Sequence, residues 1–305
     1  MDWVTRFQAH LQVIDLSEST IEAYGADLRR FVIWLEEYAG VSFHPDRVQP
    51  EHLRAYREYL QRDRGRKPTS IARQLTALSQ FFQWAMEQGI CTSNPVAQIK
   101  IPRQQRLAPR WLSRKEQRSL LRVVERDLFL AHAFYTRRQV TRRRDAAMVL
   151  LLFHTGLRVG ELVHLQMEDL DIKDRSGWLE VRAGKGRKSR TVPLNAAARQ
   201  ALQAWLQVWP GASSPFVFVV VERQHHGPMS VRSVQRAIAR YGRLAGLTHL
   251  TPHTLRHTFA KNLVDAGVSL EKIAALLGHS NLNTTRIYIT PNFADLQQAV
   301  ESLAR

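Results

Sequence analysis

Apolar residues in the first hundred positions return every three or four residues, the spacing that lines one face of an α-helix. In "STIEAYGADLRRFVIWLEEY" the series is Ile21, Tyr24, Leu28, Phe31 and Leu35, with Ser19 or Thr20 placed to cap its start. "QPEHLRAYREYLQRD" carries Leu53, Tyr56 and Leu60 and stops near Gly65. "KPTSIARQLTALSQFFQWAMEQG" carries Ile71, Leu75, Leu78, Phe82 and Trp84/Ala85, and Gly89 suits its end. The periodicity then breaks. "SNPVAQIKIPRQQRLAPRWLS" holds Pro95, Pro102 and Pro109 among basic residues and reads as a linker. The expected division is a helical domain over 1–100, a linker over 101–108 and a second domain over 109–305.

The second domain opens with "LSRKEQRSLLRVVERD", a helix capped by Ser113. "TRRQVTRRRDAAMVLLLFHTGLRVGELVHL" follows, an apolar helix ending near Gly156 and preceded by Arg137, Arg138, Arg142, Arg143 and Arg144. Such a run serves either as a solvated face or as a set of contacts to a phosphate backbone. "GWLEVRAGKGRKSRTVPL" alternates apolar and polar on both sides of Gly184-Lys185-Gly186, which predicts a β-hairpin with a basic tip that includes Arg187 and Lys188. Helices are expected from Asn195, Ser230, Thr251 and Ser269. "NFADLQQAVESLAR" repeats Phe293, Leu296, Val300 and Leu303 as a terminal amphipathic helix. The fold class is therefore mainly α with a small β-sheet.

Composition adds the partner. The chain has 305 residues, enough for two domains, and 44% hydrophobic residues, enough for buried cores. Its formal charge of +17 destabilises a compact state by self-repulsion and points to a polyanion. No apolar run approaches the ~20 residues of a membrane span, and "MDWVTRFQAHLQV" lacks the pattern of a signal peptide. The single cysteine, Cys91, excludes a disulfide framework and a cysteine-based zinc site. Together these features indicate a cytoplasmic protein whose partner is nucleic acid, with no membrane.

Four stretches carry candidate chemistry. In "TPHTLRHTFA", Thr251 caps a helix, His253 lies in its first turn where free N–H groups favour an anion, and Arg256 is three residues on. His253 and His257 have zinc-compatible spacing, but Thr254 stands where the HExxH pattern needs glutamate, so His257 reads as a structural histidine. In "HTGLRVGEL", Arg158 either caps and pairs with Glu161 or, with Arg256, forks onto one phosphate. Lys185 is either a solvated turn residue or a proton donor. In "LLGHSNLNTTRIYIT", His279 follows a helix end at Gly278, and Tyr288 is a core residue unless the other three stretches converge on it.

As an ordered set, "TGLRVGEL", "GKGRKSRTVPL", "PHTLRHTFA" and "LLGHSNLNTTRIY" resemble the tyrosine site-specific recombinases, the phage-integrase family, and most closely its Xer-like branch. The resemblance covers nearly the whole chain. It implies a two-domain clamp on duplex DNA, with a SAM-like core-binding domain and a catalytic domain. It makes Tyr288 the nucleophile that forms a 3′-phosphotyrosyl link, with Arg158 and Arg256 on the non-bridging oxygens and Lys185 as general acid. His253 would assist proton transfer at the tyrosine, His279 would hydrogen-bond the phosphate and Glu161 would orient its neighbours. It implies no cofactor, no metal and no ATP. The partners it implies are a specific DNA site and a homo-tetramer, or a hetero-tetramer with a related recombinase, on two sites. The terminal helix would dock on a neighbouring protomer. Transposon- and phage-borne relatives share every motif, so integration or resolution of a mobile element stands beside chromosome-dimer resolution. A type IB topoisomerase-like enzyme and a non-cleaving DNA-binding protein are the more distant rivals.

Overall fold

A computed structural model describes residues 2–14, 16–100, 109–134, 139–182, 189–211, 214–221, 227–279, 283–288 and 300. The chain divides into two compact units, Met1–Leu107 and Ala108–Arg305.

The first unit is built from α1 (Trp3–Val13), α2 (Glu18–Glu37), α3 (Pro50–Arg62) and α4 (Pro68–Glu87). The periodic apolar positions are its core. Leu28, Phe31, Leu35, Leu53, Tyr56, Leu75, Leu78, Phe81 and Phe82 are all buried. Ring pairs such as Phe31–Tyr56, 5.1 Å apart, join the helices. Asp27 is buried in α2 and receives Arg30 at 2.6 Å and Arg73 of α4, which ties the two helices by charge. Two expectations are corrected. The cap of α2 is Ser17, whose backbone is extended and whose carbonyl accepts from Thr20 and Ile21, so Ser19 and Thr20 already lie inside the helix. Pro95 is not linker. It opens a 3₁₀ turn, Pro95–Gln98, capped by Asn94; Pro95 is buried, and Val96 and Ile99 pack into the first core. The apolar spacing of Val96 and Ile99 decides over the breaker signal of the proline.

The second unit starts with α5 (Arg114–Phe134). The Ser113 hydroxyl accepts the Glu116 N–H, and Glu116 accepts the Ser113 N–H at 2.8 Å, a reciprocal cap. α6 (Gln139–Thr155) is the central helix. Residues 146–149 and 151–153 are apolar and buried, so it has no polar stripe, as expected of a helix covered on all sides. It packs against α5, α8 (Ala196–Leu206), α9 (Val231–Leu244) and α10 (Pro252–Asp265). α8, α9 and α10 start from the side-chain caps Asn195, Ser230 and Thr251. α7 (Val159–Val163), α11 (Leu270–Leu277) and α12 (Asn283–Arg286) are short and carry or flank the site.

A three-stranded antiparallel sheet sits beside them in the order β1 (Leu170–Ile172), β2 (Gly177–Val181), β3 (Arg190–Pro193). β2 and β3 are the expected hairpin, in the register Leu179↔Val192 and Val181↔Arg190. β1 had no signal, because three residues cannot display an alternation. Val181, Leu179 and Val192 enter the core. The hairpin tip, with Lys185, Arg187 and Lys188, lies outside the described residues, as do Arg137, Arg138 and nearly all of the terminal "NFADLQQAVESLAR".

One backbone-contact expectation fails. Arg144 is 5% exposed, and its guanidinium is spent inside the protein, donating to Asp145 at 2.9 Å and to the Val219 carbonyl at 3.1 Å. The whole of α6 is interior there, so a charge at this position needs internal partners. Arg142 donates to Asp127 at 3.0 Å, which also receives Arg240 and the Tyr241 hydroxyl. Arg143 is half-buried and reaches the Ala204 carbonyl at 3.4 Å.

Candidate active site

The end of α11 is the organising feature. A helix C-terminus leaves its last carbonyls without partners in the helix and carries the negative end of the dipole. α11 stops at Gly278, which turns left-handed at φ 64°. Its free carbonyls are met by three arginines from three other elements. Arg190, the first residue of β3, donates Nε to the Leu276 oxygen at 2.8 Å. Arg256 of α10 donates Nη2 to the Leu277 oxygen at 2.7 Å. Arg158, in the junction before α7, donates Nη2 to the Gly278 oxygen at 3.2 Å.

Two further anchors orient this trio. Gly156, at φ 64°, ends α6 and offers its carbonyl to Arg256 Nη1 at 2.6 Å. A side chain at Gly156 would meet Phe259 at 2.4 Å, so glycine is required there both for the turn and for the approach of α10. Glu161 accepts from Arg158 Nη1 at 2.8 Å and from Arg190 at 2.9 and 2.7 Å. Burial pushes the Glu161 carboxyl up, but Arg190 and Arg158 outweigh it and hold it at about 2. Burial, then the neighbouring Arg158, brings Arg256 down to about 10, which leaves it charged at neutral pH. One carboxylate thus faces three guanidiniums. The excess positive charge is held in place by backbone carbonyls, an arrangement suited to an anion with several oxygens.

The tyrosine and the histidines stand beside this cluster. Tyr288 follows α12 and packs on Ala260, Ile273 and Leu277, 1% exposed. Its hydroxyl lies 2.7 Å from Nδ1 of His257. Burial raises the Tyr288 phenol, while Arg256 and Arg158 pull it back toward ionisation. Burial, then His253 and Arg256, lowers His257 to about 4, so its imidazole is neutral at pH 7. His279 is likewise lowered to about 4 by burial and the arginines, and it meets Thr285 Oγ1 at 2.9 Å. His253 is exposed, one turn before His257, with the rings 6.4 Å apart.

The structure therefore brings together Arg158, Glu161, Arg256, His279 and Tyr288. His253 is at the margin, and Lys185 lies outside the described residues. Two members of the cluster carry no clear motif signal. His257 reads as structural from its spacing, yet it contacts the Tyr288 hydroxyl. Its position one residue after Arg256 was the available signal. Arg190 reads as part of the alternating strand pattern, and only its charge at the opening of a half-buried strand marks it.

Comparison with known proteins gives the family. The Phage integrase family profile matches residues 110–295, and that of the phage integrase N-terminal SAM-like domain matches residues 4–89. Tyrosine recombinase XerC of Chlorobaculum parvum is 33% identical, covering 97% of this chain and 92% of that protein. Tyrosine recombinase XerD of Listeria innocua is 31% identical over 92% and 91%. The XerH site-specific recombinase bound to a palindromic difH substrate has the same fold, with a TM-score of 0.73 at 18% identity over 99% of this chain and 95% of that one. The Tn1549 transposon integrase in complex with a circular intermediate DNA matches with a TM-score of 0.70 at 20% identity, over 99% of each chain. This chain belongs to the phage integrase family, the tyrosine recombinases, which cleave and rejoin DNA through a tyrosine intermediate. No helix among the described residues is long and apolar enough to cross a membrane.

Proposed function

We propose that Tyr288 is the nucleophile of a site-specific recombination reaction on duplex DNA. The observation that carries this reading is the Tyr288 hydroxyl on a neutral imidazole, next to a cluster of arginines with charge in excess of Glu161. The Tyr288 oxygen attacks the scissile phosphorus, its proton passes to His257, and the bond from phosphorus to the 5′ oxygen breaks. The product is a 3′-phosphotyrosyl link and a 5′-hydroxyl. Arg158 and Arg256 stabilise charge on the non-bridging oxygens, His279 hydrogen-bonds the same phosphate, and Lys185 protonates the leaving 5′ oxygen. His257 takes the proton-transfer role first expected of His253, since it is the histidine in contact with the phenol. The phosphotyrosyl bond conserves the phosphodiester's energy, so the freed 5′-hydroxyl of a partner strand can reverse the step without ATP. Four protomers on two sites, with the terminal segment 292–305 linking neighbours, would pair the cleavages.

The test is capture of the covalent adduct. The protein is incubated with sheared genomic DNA of the organism that carries it, and SDS-stable adducts are recovered and sequenced. The enriched duplex is then rebuilt with a nick near the scissile bond. The native chain is expected to trap on it, with the phosphate on Tyr288 by mass spectrometry. Tyr288→Phe is expected to bind it without trapping. An undiminished adduct from Tyr288→Phe refutes the assignment of the nucleophile.

A further inference from the structure

We propose that Arg190 is a positioning residue, which by occupying Glu161 from behind limits the hold of Glu161 on the Arg158 side chain to one N–H and leaves the outer donors of Arg158 to the DNA phosphate. The inference rests on the recombinase reading above. An ionised carboxylate offers about four lone-pair sites. All are taken on Glu161. Arg190 fills two through its fork, Nη1 to Oε1 at 2.9 Å and Nη2 to Oε2 at 2.7 Å. Arg158 fills the others with its main-chain N–H, at 2.7 Å to Oε2, and with Nη1, at 2.8 Å to Oε1. The two arginines are not equivalent. The Arg190 side chain is 13% exposed and commits Nε to Leu276 as well, so its donors face inward. The Arg158 side chain is 32% exposed and gives Glu161 a single side-chain N–H.

The division of labour follows from charge. Glu161 neutralises about one guanidinium. With the fork of Arg190 in place, the inner arginine takes most of that charge, and Arg158 keeps its own for an incoming phosphate. Without Arg190, two acceptor sites on a half-buried carboxylate lose their partners, which is costly. Arg158 is the adjacent cation, and it would turn both Nη groups onto Glu161, leaving Gly278 and the phosphate position. Lysine at 190 restores the charge but fills one oxygen, because a point charge cannot copy a planar fork. Arg190 holds its place through the sheet, since its main chain pairs with Val181 of β2.

The experiment compares native chain, Arg190→Lys, Arg190→Gln and Arg158→Ala in single-turnover cleavage of the captured duplex. Each is run on a normal scissile phosphate and on a methylphosphonate there, whose neutral methyl replaces a charged oxygen. Both Arg190 variants are expected to bind the duplex within about threefold of native and to cleave the phosphate at least about tenfold more slowly. On methylphosphonate that deficit is expected to shrink below about threefold, and the deficit of Arg158→Ala is expected to shrink with it, because no charge is left for Arg158 to neutralise. A purely structural loss slows both substrates alike. An equal deficit on the two, or no deficit on phosphate, overturns the proposal for Arg190. A native chain that forms no adduct on either substrate overturns the recombinase reading and this inference with it, while a native adduct with an equal deficit refutes Arg190 alone.

Discussion

At the scale of single residues, the histidines differ in what they touch. His257 touches the phenol and is neutral, so it can accept a proton. His257→Asn keeps polarity but loses that basicity. Its cleavage is expected to fall by about a hundredfold or more while duplex affinity holds, measured as the single-turnover rate against the dissociation constant. Unchanged or faster cleavage would make His257 a latch on Tyr288 rather than its base. The same lowered pKa values carry a stability consequence. Unfolded histidines protonate near 6.5, whereas folded His257 and His279 do so near 4. Between those values the unfolded chain binds more protons, so stability is full above about pH 6.5 and is lost as pH falls through 4. The urea midpoint is expected to drop over that window, and less steeply in His257→Asn; parallel profiles would show that His257 does not titrate this way. How much of this was legible beforehand varies by residue. Arg158, Arg256, His279 and Tyr288 sit in motifs whose order points to one site. Arg190 and His257 lie inside the same stretches, but their spacing alone marks them as a strand residue and a structural histidine, and only the third dimension turns them onto Glu161 and Tyr288.

At the scale of elements, the site depends on where short helices stop. The caps at Asn195, Ser230, Thr251 and Ser269 were legible because capping chemistry is local. Pro95 and β1 were not. A proline inside a packed 3₁₀ turn looks like a linker, and a three-residue strand exists only because β2 pairs with it. The stop of α11 allows a controlled test. Gly278 and Gly267 both adopt positive φ, 64° and 74°, at the ends of neighbouring helices. A methyl on Gly267 meets nothing within 4 Å, whereas one on Gly278 meets Arg190 Nη1 at 2.8 Å. Alanine at either site is expected to destabilise by about 1–2 kcal/mol through the left-handed backbone. Cleavage by the folded protein is expected to fall severalfold or more only in Gly278→Ala, which displaces Arg190 from Glu161 and Leu276. Equal rates in the two variants would show that the cluster tolerates the shift.

At the scale of the molecule, the two units have separate interiors. The core running from Val4 to Ile99 shares no residue with the one running from Leu112 to Leu255, and Val96 and Ile99 close the first before the second begins. A domain with its own apolar core can fold as an independent unit. The aromatic cluster of Phe7, Phe31, Trp34, Tyr56, Phe81 and Trp84 gives the first unit large buried surfaces for its size. A fragment of residues 1–107 is therefore expected to unfold cooperatively in urea, followed by the fluorescence of Trp3, Trp34 and Trp84, with the stability that hydrogen exchange of the same core amides reports in the full chain. The fragment is also expected to give no covalent adduct, because Tyr288 and all three arginines of the cluster belong to Ala108–Arg305. A fragment that lacks a cooperative transition, or that melts far below the full chain, would mean that the second unit supplies part of the first unit's stability. The two units would then share one folding equilibrium.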